Sequence, residues 1–182
     1  MALLQRMMEL AEQPVFTGDI RLEPLLPDHA ALLFDGFSDP DLYIFIPQEP
    51  PVSIDALRAR YQRLSGRRSP DGTEAWLNWA VFHIPSQRYA GLVEVTVRDT
   101  AADIAYFVFK QSQGCGIGRK AVGGIVALLH DNGVVDIGAS IDTRNVRSIA
   151  LVTALGFEQV AFVEAADTFK GAVSDEFRFQ HR

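Results

Sequence analysis

At 182 residues, 48% of them hydrophobic, the chain is long enough for one domain with a substantial core and too short for two ordinary ones. A net charge of −6 argues against affinity built on polyphosphate backbones, so no nucleic-acid partner is expected. The one cysteine, Cys115, cannot form an internal disulfide, no apolar run reaches membrane length, and Arg6 and Glu9 interrupt the first ten residues where a signal peptide would be apolar; a soluble cytoplasmic protein without a membrane partner is the expectation.

Residues 1–13 favour helix by propensity and stop at Pro14, so residues 1–18 read as an N-terminal extension and 19–182 as the domain proper. Ile20–Pro24 alternates like a strand, and Pro27-Asp28 opens a helix carrying Leu32, Leu33 and Phe37. Asp39–Pro47 is apolar but bounded by prolines, which leaves its structure open; Tyr43 and Phe45 there either line a pocket or pack on the core. Ser53 caps the next helix, with Ile54, Leu57, Tyr61 and Leu64 on one face and an end near Gly66. Its other face carries Arg58, Arg60 and Arg63, followed by Arg67 and Arg68, a basic cluster that is either simply solvated or turned to an acidic acceptor.

Trp76–Ile84 is apolar on both faces, as a central strand would be. A turn at Pro85-Ser86 leads into Gly91–Arg98, where Val93, Val95 and Val97 alternate with Glu94, Thr96 and Arg98. The meander continues into a strand from Asp103 through the apolar run Ile104–Phe109. After the glycines at 114, 116 and 118, Ala121, Val122, Ile125, Val126, Leu128 and Leu129 recur at helical spacing until Asn132-Gly133. Val134–Ile141 makes another strand, Asn145 begins the last helix, and residues 158–163 and 174–180 close the sheet as a long hairpin.

Glycines between a strand and a helix let backbone N–H groups converge where the helix dipole favours an anion, and the expected ligand is a pyrophosphate. A dinucleotide fingerprint would need glycine at Arg119 and an acidic residue ending the next strand, whereas Asp136 precedes that strand's apolar part. A P-loop would need Gly-Lys-Ser/Thr, which is absent.

Gln113-Gly114-Cys115-Gly116-Ile117-Gly118 resembles the Q/R-x-x-G-x-G/A loop of the GNAT acetyltransferases, which binds the pyrophosphate of acetyl-CoA. Ala102-Asp103-Ile104-Ala105-Tyr106 is similar to the "A-E-I-G-Y" strand of the branch that includes the ribosomal-protein N-terminal acetyltransferases. Asn145-Val146-Arg147-Ser148 followed by Ala154-Leu155-Gly156-Phe157 is similar to the family's "N-x-x-S … L-G-F" helix. The resemblance implies a single-domain α/β (α+β) acyl-CoA N-acyltransferase fold, with a mixed, mostly antiparallel sheet flanked by helices on both faces. It implies direct acetyl transfer from acetyl-CoA to a primary amine, a peptide or protein N-terminus before a small-molecule or antibiotic amine. A homodimer is left open.

Carried over residue by residue, Gln113, Gly114, Cys115, Gly116, Ile117, Gly118 and Arg119 would hold the pyrophosphate, and the backbone of Phe107, Val108 and Phe109 would pair with the pantetheine arm. Asn145 matches a cofactor-contacting asparagine and also reads as a helix N-cap. Asp103 stands where the family has a glutamate proposed as base, with Glu94 as its competitor on the polar face of the preceding strand. Many members place a tyrosine acid where this chain has Val152, and Ser148 is the substitute. Cys115 has no sequence neighbour to activate it as a nucleophile, and His29, His83, His130 and His181 lack ligand spacing, so no metal is expected. Val152 and the shortened Asp103 motivate the rival reading, a non-catalytic acyl-CoA-binding sensor.

Overall fold

Every strand expected from the apolar pattern forms, and a short one precedes them. The computed structural model describes residues 2–182. Its helices are α1 (Ala2–Leu10), α2 (His29–Phe37), α3 (Ile54–Leu64), α4 (Ile117–Asp131) and α5 (Val146–Ala154). Its strands are β1 (Val15–Thr17), β2 (Ile20–Pro24), β3 (Ala75–His83), β4 (Arg88–Arg98), β5 (Ala101–Val108), β6 (Asp136–Asp142), β7 (Glu158–Phe169) and β8 (Ala172–His181). They form one sheet in the order β1-β2-β3-β4-β5-β6-β8-β7, antiparallel except between β5 and β6.

Strand alternation sorts the apolar residues into two cores, one on each face of the sheet. On the first face Leu77, Trp79, Val81, Val93 and Val95 meet Met7 of α1, Val122, Ile125 and Leu129 of α4, and Val152 of α5. On the second, Ala80, Leu92 and Phe109 meet Leu33 and Phe37 of α2 and Leu57 and Tyr61 of α3. Burying a large apolar side chain in this way stabilises by about 1.5–3 kcal/mol. At Gly36 in α2 an added Cβ would lie 2.5 Å from the Phe109 ring, so this glycine is what lets α2 settle on the end of β5.

The site depends on where the sheet fails to stay closed. β5 pairs with β4 from Ala101 to Val108, but with β6 only over Ala101–Asp103 against Asp136–Gly138. Beyond that point the two parallel strands diverge into a fork. The β6 arm is carried by β8, paired from Ile137 with His181 to Asp142 with Glu176, and the β7–β8 hairpin then runs on past the end of β6.

The five arginines divide: Arg58, Arg63 and Arg68 are exposed to solvent, whereas Arg60 and Arg67 turn toward carboxylates of other segments. Arg58 pairs with Asp55 at 2.7 Å on its own helix, and Arg68 donates to the Gly72 carbonyl. Arg60 reaches across to Glu94 at 2.7 Å, and Arg67, only 3% exposed, pairs with Glu12 at 3.0 Å. The long apolar stems of these side chains carry the guanidinium to carboxylates that helical spacing alone does not reveal. Residues 40–43 form a 3₁₀ turn in which Tyr43 is buried, its hydroxyl donating to the Phe37 carbonyl at 2.9 Å, while Phe45 is half-buried.

Candidate active site

Gly114 and Gly116 adopt φ of +76° and +75°, left-handed values that an L side chain rarely takes, and both would project a Cβ into open space. Gly116 is the N-cap of α4 and offers no side chain to the first turn, whose amides are therefore open to a ligand. Gly118 serves packing instead: its Cβ position lies 2.9 Å from side-chain atoms of both Leu151 and Val108, so glycine there brings α4 against α5 and β5. Gln113 braces the loop from both ends, its Nε2 donating to the Val108 carbonyl at 2.9 Å and its Oε1 accepting from Arg147 at 2.5 Å. Arg119 and Cys115 are exposed beside it. A loop of unpaired amides flanked by Arg119 and Arg147 can hold a diphosphate, each charge-assisted bond contributing about 1.5–3 kcal/mol.

The fork selects which backbone groups face a ligand. A Cβ on Gly91 would lie almost on the Phe107 carbonyl, and the Phe109 N–H donates to Ala90 at 2.8 Å, so Phe107 and Phe109 turn their polar groups to β4. Alternation then sends those of Tyr106 and Val108 outward, into the fork. Of the expected trio Phe107, Val108 and Phe109, only Val108 can pair with an arm lying there. Tyr106 is the other, a residue to which the sequence alone assigns no role.

Three ionisable groups surround the apex. Asp103 is at the last paired position, 67% exposed and salt-bridged to Arg98 at 2.6 Å; Gly138, opposite, leaves room for its carboxylate. Glu94 lies on the same face two residues up the neighbouring strand, opposite Ala105 and beneath α3. Its side chain is 20% exposed, and burial pushes the carboxyl above its ordinary value against the opposing pull of Arg60. On the other face the Tyr106 hydroxyl meets Ser148 Oγ at 2.6 Å, and burial raises the phenol to about 12. Asn145 caps α5, its Oδ1 accepting from the Ser148 N–H at 3.2 Å, which leaves its amide nitrogen for a ligand. Val152 is wholly buried in the first core, so no acid acts from that position. Among the described residues no group of three His, Cys, Asp or Glu side chains is placed to hold a metal ion.

The family model for the acetyltransferase (GNAT) domain matches residues 19–158. The chain belongs to the GNAT acetyltransferase family. GNAT membership makes it an acetyl-CoA-dependent N-acetyltransferase. Among solved GNAT-fold structures, the ribosomal-protein-S5-alanine acetyltransferase of Vibrio fischeri superposes with a TM-score of 0.80 at 17% identity, covering 93% of this chain and 96% of that one. The ribosomal L7/L12 α-N-protein acetyltransferase in complex with coenzyme A gives 0.81 at 15% identity, covering 93% and 97%. The microcin C7 self-immunity acetyltransferase in complex with acetyl-CoA and AMP gives 0.78 at 17% identity, covering 90% and 92%. At these identities the likeness is one of fold. Among curated protein sequences none matches the chain significantly. In this structure Gln113 ties the glycine loop to Val108 and Asn145 holds the Ser148 N–H, while Asp103 and Glu94 share the face of the sheet opposite to Tyr106.

Proposed function

We propose that the chain transfers an acetyl group directly from acetyl-CoA to a primary amine, with a peptide or protein N-terminus as the favoured acceptor. The observation that carries this reading is the fork between β5 and β6 with an open glycine loop at its mouth. The diphosphate rests on the amides from Gly114 to Arg119, and the pantetheine arm pairs with the outward groups of Tyr106 and Val108. The thioester then reaches the apex, beside Glu94 and Asp103.

Glu94 is the better base. It is the carboxylate whose burial raises its proton affinity, whereas Asp103 is exposed and held by Arg98. Base strength also bears on the acceptor. At pH 7.5 a lysine amine near ~10.4 costs about 4 kcal/mol to neutralise and an α-amine near ~7.8 well under 1, so a modest base suits the α-amine. The two ribosomal-protein enzymes of like fold fit this choice, and the microcin enzyme keeps a small-molecule amine as the second candidate. Ser148, backed by the neutral phenol of Tyr106, donates to the departing thiolate. That step needs little help, since a thiol near ~8.5 leaves at about 1–2 kcal/mol. In this reading the partners are acetyl-CoA and the amine, in the cytoplasm.

The test is calorimetric titration with acetyl-CoA, followed in the same sample by thiol release against peptides, polyamines, amino acids and aminoglycosides. Binding with turnover supports the transferase and names its acceptor class. Binding without turnover favours the acyl-CoA sensor, and absence of binding overturns the loop's role.

A further inference from the structure

The two arms of the fork are separate limbs of the sheet beyond Asp103 and Gly138, yet among the described residues one side chain ties them by hydrogen bonds on the face that carries Glu94. Lys170 stands at the turn of the β7–β8 hairpin, between the paired Phe169 and Ala172, on the β6 arm. Its ammonium donates to three main-chain carbonyls on the other limb: Tyr43 at 2.5 Å, Ile46 at 3.2 Å and Gln48 at 3.0 Å. Three N–H donors meet three acceptors, so the ammonium is fully satisfied, and Glu49 adds a carboxylate at 3.5 Å. The backbone accepts a cost for this. Lys170 has φ +52°, a left-handed value that a two-residue hairpin turn requires and that Asn or Gly would take more readily.

The carbonyls it grips belong to the loop between α2 and α3, and that loop covers the reacting region. Tyr43 packs on Phe107 of β5 at 6.2 Å between ring centroids, and it lies close enough to Arg60 and Glu94 to feel both charges. Lys170 therefore closes a bridge over the face from which Glu94 would meet an acceptor.

We propose that Lys170 is a specificity-determining latch that restricts the enzyme to amines borne on a narrow, extended chain. The inference rests on the transferase reading above and deepens it. An amine at the end of an extended peptide threads under the closed bridge; an amine set on a rigid, bulky body, as on an aminoglycoside, does so only when the hairpin tip and the 43–48 loop part. The device acts on the acceptor alone, because the diphosphate loop leads into α4, which packs on the face of the sheet opposite the 43–48 loop.

The test compares the full-length protein with Lys170→Met, which keeps the stem and removes the charge, and Lys170→Arg, which keeps the charge and donors. For each, kcat/KM is measured with an extended peptide amine and with an aminoglycoside, alongside acetyl-CoA affinity. Lys170→Met should raise the aminoglycoside-to-peptide ratio by about tenfold with acetyl-CoA affinity unchanged, and Lys170→Arg should hold the ratio near that of the parent. Amide exchange at residues 43–48 should quicken in Lys170→Met and not in Lys170→Arg. An unchanged ratio in an enzyme that turns over both amines overturns the latch and leaves the transferase standing. If the parent binds acetyl-CoA and acetylates neither amine nor any other on the panel, the transferase reading falls and the acceptor latch falls with it.

Discussion

Glu94 is held between two opposing pulls, and the balance between them is what makes it usable as a base. Burial beneath α3 disfavours its charged form, and Arg60 at 2.7 Å favours it; burial is the larger. Removing the guanidinium leaves burial unopposed, so in Arg60→Met the carboxyl moves further up and the acid limb of kcat/KM shifts to higher pH. Glu94→Gln should abolish that limb and lower kcat by about 10²-fold or more with acetyl-CoA affinity retained. A limb that stays in place in both variants would return the base to Asp103. Asp142, at the tip of the β6 arm, is the reverse case. The Arg144 guanidinium, donating to both carboxylate oxygens of Asp142, brings it down from 3.8 to about 2, with the Ser174 hydroxyl donating a further bond at 2.7 Å. A depressed carboxyl contributes stability that is present above 3.8 and lost as pH falls through about 2. Asp142→Asn should therefore cost about 2 kcal/mol at neutral pH, and denaturant titration should show a smaller loss of stability between pH 4 and pH 2 than in the parent.

At the scale of elements, the segment comprising helix α4 and its loop was legible because both of its signals are local. Apolar residues at helical spacing set the helix, and glycines at 114 and 116 mark the positions where only left-handed backbone lets the amides converge. Gly116→Val places a β-branched side chain at φ +75° in the space a diphosphate would occupy, so acetyl-CoA affinity should fall beyond calorimetric detection while the fold, read by circular dichroism, persists. Retained affinity would make the loop a simple turn. The rest of the site was hidden because it depends on contacts between distant segments. Strand alternation shows that Glu94 and Arg98 share a face, but not that Arg60, 34 residues earlier, covers one of them. Likewise the apolar run Ile104–Phe109 does not say which residues face β4; that follows from the close approach of Gly91 to the Phe107 carbonyl. The tie from Tyr106 to Ser148 and the latch at Lys170 join segments 42 and 127 residues apart, at separations that no periodicity can report.

Across the whole molecule, the two cores are joined near the start of β3 by one buried cation. Arg67 follows α3 on one face of the sheet; Glu12 follows α1 on the other, where Met7 of α1 and Ala11 just after it seal the first core, 1% and 0% exposed. The Arg67 guanidinium also donates to the Asn78 carbonyl at 3.4 Å, which fixes it against the central strand β3. Taking the Arg67 charge from water is costly, and the pair returns that cost only while Glu12, itself about half exposed, is there to meet it. Glu12→Gln leaves Arg67 buried without a counter-charge and should lower unfolding free energy by about 2 kcal/mol, a larger loss than an exposed ion pair of 0.2–1 kcal/mol would give. Arg67→Met in the Glu12→Gln background removes the stranded charge while keeping an apolar stem, and it should restore about half or more of the loss. Chemical denaturation of the four proteins in the cycle measures both effects. If the single variant costs no more than an exposed pair, α1 is held by Met7 and Ala11 alone and the join between the two cores is made by packing.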